Sequence, residues 1–492
     1  ISHNFPESFL ALERSHSRLL LDKLLNAKKE LQIPTVNQIQ NQMSQDSAIL
    51  AYGRLNPRSG GPETLFEYAI IRESHQGYIA NTSTLSSQTE RIGTVVSKWD
   101  NDQRGIKTTK SFVKEKSKNY LENLVRYYQF ILANPSNKND TAIKEIGRAL
   151  YDLLIKPLLP VIRGKKNLLI IPDGILSFIP FEVLVDEKGR YLVEEFNVGY
   201  VQSMGVLNSL RGRKYEEERK PMLAFGGALY EQTLSNQNIV ETDIQLSDLT
   251  ANTLDSLNQN DTRSASDAFA RLGYASWANL PGSKVEVEAI KALIKNSKTI
   301  IGEDVNEANI KEMSASGELS NYEVLHFATH GVTVPNFPEL SSIVLSQNDN
   351  APETEDGYLR MEEIAKLKIR AEFVNLSACQ TGRGKLFAGE GVVGLAHSFL
   401  LAGANALSVS LWNVEDESTV KFMVGLYKLV EEKGMTYFQA MNEMKRSFIK
   451  GKIHLDPFDP ATGLKLIKDE MVRPNKLSHP FYWAPFVYYG VN

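Results

Sequence analysis

Cys379 is the single cysteine of this 492-residue chain, and a lone thiol serves either as inert apolar filler or as a nucleophile. It closes the string FVNLSAC, while 49 residues earlier His330 closes EVLHFATH. Both strings read as short buried strands, and reactive groups in open α/β sheets gather at the carboxyl ends of strands. Neighbouring strands would therefore set a thiol beside an imidazole. A protonated thiol is a weak nucleophile; a nearby imidazole removes its proton or stabilises the thiolate, and later protonates a leaving amine. Gly331 after the His and Ala378 before the Cys are small enough to let a substrate carbonyl approach backbone amides, which then form an oxyanion hole. These residues point to acyl transfer by a His330 and Cys379 dyad.

Other patterns compete for the same residues. HFATH places His326 and His330 four apart but lacks the Glu of HExxH, and on a strand four residues span roughly 13 Å, too far for two rings to share one ion. No metal is expected. His326, between Leu325 and Phe327, reads as a buried and hydrogen-bonded ring. Gly389, Gly391 and Gly394 satisfy G-x-G-x-x-G, with Glu415 near the end of the following strand, which makes a dinucleotide site the rival enzyme reading. A Rossmann fingerprint, however, occupies the tight turn directly after its strand, whereas twelve residues including Cys379 separate Leu376 from Gly389. Close helix packing explains these glycines better, and no cofactor is expected. A catalytically silent scaffold is the third reading, against which both dyad members are present.

The elements that must position the dyad follow from periodicity. Pro6–Leu31 reads as an amphipathic helix that Pro34 ends, with a second short helix starting at a capping Thr35. Ser47–Leu55 and Leu65–Ile79 read as strands around a turn at 56–61. Helices are expected at about 110–132 and 141–162, a strand at Asn167–Ile171, a hydrophobic stretch at 176–185 and a strand near 198–202. After the solvated charge run Lys214–Lys220, strands at Met222–Phe225, Thr299–Ile301, Val324–Phe327, Phe373–Leu376, Leu407–Leu411 and Phe486–Tyr489 alternate mostly with helical patterns. That order argues for α/β architecture with a mainly parallel sheet between helices. The expected organisation is a helical lead-in (1–46), a first α/β lobe (47–218) and a second lobe carrying the dyad (219–492). Tyr230–Ser276 breaks the rhythm: it is polar and poor in large apolar residues, and so long a connection is a surface insertion or a brake on the site.

Composition narrows the partners. A net charge of −4 creates no global field toward nucleic acid or anionic lipid, so proteins or small molecules are expected instead. One cysteine excludes an internal disulfide framework and fits a reducing compartment. No apolar run approaches a membrane span, and the first ten residues lack the features of a signal peptide, so a cytoplasmic protein without a membrane partner is expected.

LYDLLIKPLLP, LLIIPDGILSFIPFEVL, LPGSKVEVEAI, LHFATHG, DGYLRMEEI, LSACQTGRG, GEGVVGLAHSFLLAGA, SLWNVEDEST and HPFYWAPFVYYG stand in this order from about Tyr151 to Asn492. Together they resemble the successive motifs of CHAT-domain proteins, relatives of caspases, separase and gingipains. The 49-residue separation is also close to the roughly 50 of caspase-like His and Cys pairs. The resemblance implies a caspase-like three-layer sandwich, a nonproteolytic α/β lobe before the catalytic one, and a thiol protease acting on protein substrates. It assigns catalysis to His330 and Cys379, with oxyanion amides at Gly331 and Cys379. It further implies a regulatory protein or an upstream tetratricopeptide array, whose junction the helical lead-in resembles. SLWNVEDEST is similar to the separase pocket loop, in which an acidic residue receives Arg, and Asp416 matches that position. Specificity for Arg or Lys is therefore expected; Asp416 could alternatively cap the helix that follows. Asp356, in the DGYL turn, is the second candidate for the pocket.

Overall fold

The computed structural model describes residues 34–55, 64–81, 120–135, 140–215, 218–230, 277–333, 340–347, 355–377, 379–380, 389–452 and 477–491. The helix expected at 6–31, the turn at 56–61 and the polar segment 231–276 lie outside them. The chain divides into two compact units.

The first unit opens on α1 (Val36–Asn41), where Thr35 and Gln38 form a reciprocal capping box: Gln38 N–H donates to Thr35 Oγ1 at 3.3 Å and Thr35 N–H to Gln38 Oε1 at 2.8 Å. β1 (Ser47–Leu55), β2 (Thr64–Ile71) and β3 (His75–Asn81) form an antiparallel meander. The expected strand 65–79 is thus two strands. Helices α2 (Tyr120–Ala133) and α3 (Asp140–Leu154) follow. Ile143, Ile146, Leu150 and Leu154 mark the buried stripe of α3. At Gly147 a Cβ would stand 2.6 Å from Tyr128 Oη, so only glycine lets α3 approach that closely. β4 (Asn167–Ile171) pairs parallel with β1, and β5 (Asn197–Tyr200) pairs parallel with β4. Between them the stretch 176–185 contains short 3-10 turns at Gly174–Phe178 and Phe181–Val183. Helix α4 (Met204–Arg211) closes this part, capped by Ser203.

The second unit carries the expected alternation. Its elements are β6 (Lys220–Gly226), α5 (Pro281–Leu293), β7 (Lys298–Ile301), α6 (Glu307–Ala315), β8 (Tyr322–Ala328), β9 (His330–Val332), β10 (Ser342–Val344), β11 (Tyr358–Arg360), α7 (Met361–Lys366), β12 (Phe373–Leu376), β13 (Cys379–Gln380), α8 (Gly389–Ala402), β14 (Ala406–Ser410) and α9 (Asp416–Lys433). The main sheet runs β14-β12-β8-β6-β7 with every neighbouring pair parallel. Its strands are continuous buried runs such as FVNL and ALSVS, as a parallel strand covered on both faces requires. The chain steps outward from β6 to β7, then back through β8, β12 and β14. Right-handed crossovers therefore put α5 on one face and α6, α7 and α8 on the other, with α9 packed along α5. The result is a three-layer α/β sandwich with a mainly parallel sheet. A small second sheet, β11-β10-β9-β13, grows from the carboxyl ends of β8 and β12.

The C-terminal elements α10 (Tyr437–Ile449) and β15 (Phe486–Gly490) belong to the first unit, whereas the sequence reading assigned everything from 219 onward to the second lobe. β15 runs parallel to β5, and Asn442 of α10 brackets Val198, accepting from its N–H at 2.9 Å and donating to its carbonyl at 3.2 Å. Lys445, fully buried, donates to the equally buried Glu182, which also accepts from the Tyr200 hydroxyl. Among the described residues no helix is long and apolar enough to cross a membrane.

Candidate active site

Four adjacent strands of the second unit deliver one chemically useful residue each at or just beyond their carboxyl ends: Asp416 after β14, Cys379 after β12, His330 after β8 and Tyr230 after β6. The small sheet fixes their register. β9 pairs parallel with β13 so that His330 lies opposite Cys379 and Gly331 opposite Gln380. On its other edge His330 faces Val344 of β10, and Val344 faces Tyr358 of β11. One lateral row thus crosses Cys379, His330, Val344 and Tyr358.

His330 is 1% exposed, and its ring is held from several directions. Its Nε2 lies 2.6 Å from the Ala278 carbonyl oxygen. A carbonyl can only accept, so Nε2 carries the proton and Nδ1 keeps its lone pair. Nδ1 has no hydrogen-bond partner among the described residues. The imidazole packs against Tyr230 and Trp277, with centroids 4.7 and 5.1 Å away. Its backbone N–H donates to Tyr230 Oη at 3.1 Å, and that hydroxyl donates to the Val344 carbonyl at 3.2 Å. Trp277 Nε1 donates to Tyr358 Oη at 2.9 Å. Burial lowers the His330 pKa below its ordinary value, partly offset by the Ala278 carbonyl. A neutral imidazole with a fixed tautomer and an unprotonated Nδ1 is equipped to accept a proton.

Asp416 is the first residue of α9, and its carboxylate accepts from the Gly282 N–H at 2.7 Å, in the first turn of α5. It therefore supplies an orphan amide of a second helix. Burial pushes its pKa up, the Gly282 amide pulls it down, and nearby Glu286 pushes it up again. Asp356 is differently occupied. Arg360 donates to one of its oxygens and the Tyr358 N–H to the other, at 2.9 Å. A basic substrate residue would have to displace Arg360 there.

The ring of His326 is fully buried, with Nδ1 3.0 Å from Tyr427 Oη and Nε2 2.8 Å from Glu286 Oε1. It matches the hydrogen-bonded core histidine read from the sequence. Among the described residues no group of three His, Cys, Asp or Glu side chains is arranged to hold a metal ion. Of the fingerprint glycines, Gly394 lies against α7, where a Cβ would come 2.5 Å from Met361 Cε. Sequence reasoning missed Tyr230, Trp277, Ala278 and Tyr358. Trp277 alone left a trace, as a large aromatic directly after a segment poor in them.

An open, mainly parallel sheet thus carries a histidine and a cysteine in lateral register beyond adjacent strand ends of a three-layer α/β sandwich. The chain belongs to the CHAT domain family, whose profile matches residues 144–491. It is similar to mouse Tetratricopeptide repeat protein 28, 23% identical over 397 residues, covering 72% of this chain and 14% of that protein. The human protein of the same name is 23% identical over 381 residues, covering 70% and 13%. The chain thus spans about a seventh of the length of these relatives. Among solved structures, the separase–securin complex of Saccharomyces cerevisiae aligns with a TM-score of 0.44 at 14% identity, over 99% of this chain and 34% of that one. The Arg-specific cysteine proteinase gingipain R aligns with a TM-score of 0.34 at 10% identity, over 75% and 73%.

Proposed function

We propose that this chain is a cysteine endopeptidase that cleaves intracellular proteins after Arg or Lys. The observation that carries the proposal is the His330 ring, whose Nε2–H is tied to the Ala278 carbonyl while Nδ1 is left as the base, on a strand in register with Cys379. His330 Nδ1 takes the Cys379 thiol proton, and the thiolate attacks the scissile carbonyl. The amides of Gly331 and Cys379 receive the oxyanion. His330 then returns the proton to the departing amine, and water hydrolyses the acyl-enzyme through the same base. Asp416 receives the basic side chain before the scissile bond, where a carboxylate attracts a cation and repels an acidic residue. No metal or cofactor enters this chemistry. The relatives' names fit a working context beside a tetratricopeptide array, and the proposal places the chain in the cytoplasm under the control of that array or another regulatory protein.

The test is cleavage of a peptide library by wild type, Cys379→Ala and His330→Ala. Both variants should lose cleavage by at least about a hundredfold while remaining folded, with His330→Ala unfolding at a somewhat lower temperature because it empties a buried ring site. Cleavage near the wild-type rate by either variant overturns the dyad.

A further inference from the structure

The segment from Trp277 to Gly282 is tied at almost every residue. The Trp277 indole donates to Tyr358 and packs on the His330 ring. The Ala278 carbonyl holds His330 Nε2. Asn279 Oδ1 accepts from the Tyr230 N–H at 3.2 Å. The Leu280 carbonyl accepts from Ser283 Oγ at 2.7 Å, and the Gly282 N–H ends on Asp416. Pro281 stiffens the stretch further by fixing its own φ.

From this we infer that residues 277–282 form a strap through which Asp416 positions the His330 imidazole. Asp416 is then a positioning residue for the base as well as a candidate contact for substrate. The carbonyl that sets the His330 tautomer lies four residues before the amide that Asp416 holds. This amide is the second of a helix whose preceding residue, Leu280, makes no side-chain cap. With the Asp416 carboxylate removed, the first turn of α5 loses an acceptor and the strap loses its far anchor, leaving the Ala278 carbonyl free to shift. A misplacement of about 1 Å in a catalytic constellation costs up to roughly a hundredfold in rate. A bound Arg that drew the Asp416 carboxylate would act on the base through the same strap, so specificity would be expressed in kcat as well as in KM.

The inference rests on the dyad but not on the preference for basic residues, and the single cysteine gives a readout free of substrate. The Cys379 thiolate displaces iodide from iodoacetamide, forming the S–C bond, and the thiol proton goes to His330. Alkylation of the intact chain is measured between pH 5.5 and 9 for wild type, His330→Ala, Asp416→Ala, Asp416→Asn, Gly282→Ala and Trp277→Phe, with thermal unfolding of each. At Gly282 an added Cβ would overlap the Asp416 carboxylate. Trp277→Phe keeps an aromatic ring while removing the indole N–H that donates to Tyr358. Asp416→Ala, Gly282→Ala and Trp277→Phe should each slow alkylation about tenfold near neutral pH. Asp416→Asn should restore most of the rate, since its amide oxygen still accepts from Gly282. Wild-type rates in folded Gly282→Ala and Trp277→Phe overturn the strap, as does an Asn variant as slow as Ala. A wild-type rate in His330→Ala instead overturns the dyad itself.

Discussion

His326 and His330 stand four residues apart and differ in one respect that decides their chemistry: both nitrogens of His326 have partners, whereas His330 Nδ1 has none among the described residues. The two aspartates divide in the same way. Asp356 is paired with Arg360, while Asp416 accepts from a neutral amide, and it is therefore the one of the two proposed to receive a cation. Fluorogenic peptides ending in Arg, Lys, Asp and Leu test this. Wild type should prefer Arg and Lys, and Asp416→Ala should cut efficiency on Arg by roughly 30-fold to several thousandfold, the range for removing one partner of a buried charged pair. Asp416→Asn should lose the basic preference yet keep its thiol reactivity; a wild type that prefers Asp or Leu refutes the pocket. A second residue-scale prediction concerns Glu67 on β2. It is fully buried, neither oxygen has a partner among the described residues, and burial raises its pKa to about 8. Between its ordinary value of 4.5 and about 8 the folded chain holds a proton that the unfolded chain releases. Stability therefore falls as pH rises through that window, by up to about 1.4 kcal/mol per pH unit. Glu67→Gln should match wild type near pH 4.5 and exceed it increasingly toward pH 8. Parallel stability curves from denaturant titrations would disprove the assignment.

At the scale of elements, what the sequence made legible is what local physics writes into it. Buried parallel strands such as NLLII and FVNL stand out as short apolar runs, and the T-x-x-Q box marks the start of α1. The ends of β8 and β12 were legible for the same reason, and with them His330 and Cys379. The elements that complete the site were not. β9, β10, β11 and β13 have two or three residues each, too few for a period of two to register. The Ala278 group that orients His330 is a backbone carbonyl, which has no residue signature, and 52 positions separate it from its partner. Trp277 and Tyr230 flank the segment that interrupts the α/β rhythm, so their approach to one imidazole is purely tertiary. Asp416 was legible as a helix-start residue, but its partner on α5 could not be inferred from its own helix.

The organisation of the whole molecule departs furthest from a linear reading, because the described residues after 433 return to the first unit. A buried polar connection joins them to it. Lys445 of α10 meets Glu182 across 263 residues of sequence, with both side chains wholly inaccessible, and the Tyr200 hydroxyl donates to the same carboxylate while accepting from the Phe181 N–H at 2.7 Å. Burial alone would drive the Lys445 ammonium toward neutrality, and Glu182 opposes that shift. Such a pair adds little net stability over a well-packed apolar pair, but breaking it from one side leaves an uncompensated buried charge. Lys445→Met should therefore destabilise the first unit by about 3 to 5 kcal/mol. Lys445→Met combined with Glu182→Leu should recover much of that loss, short of the hydrogen bond from Tyr200, worth about 1 kcal/mol. Hydrogen exchange localises the effect: amides of β5 and α10 should lose protection in the single variant and regain it in the double. A single variant as protected as wild type, or a double variant no better than the single, would show that apolar packing around β15 rather than the ion pair holds the C-terminal elements in the first unit.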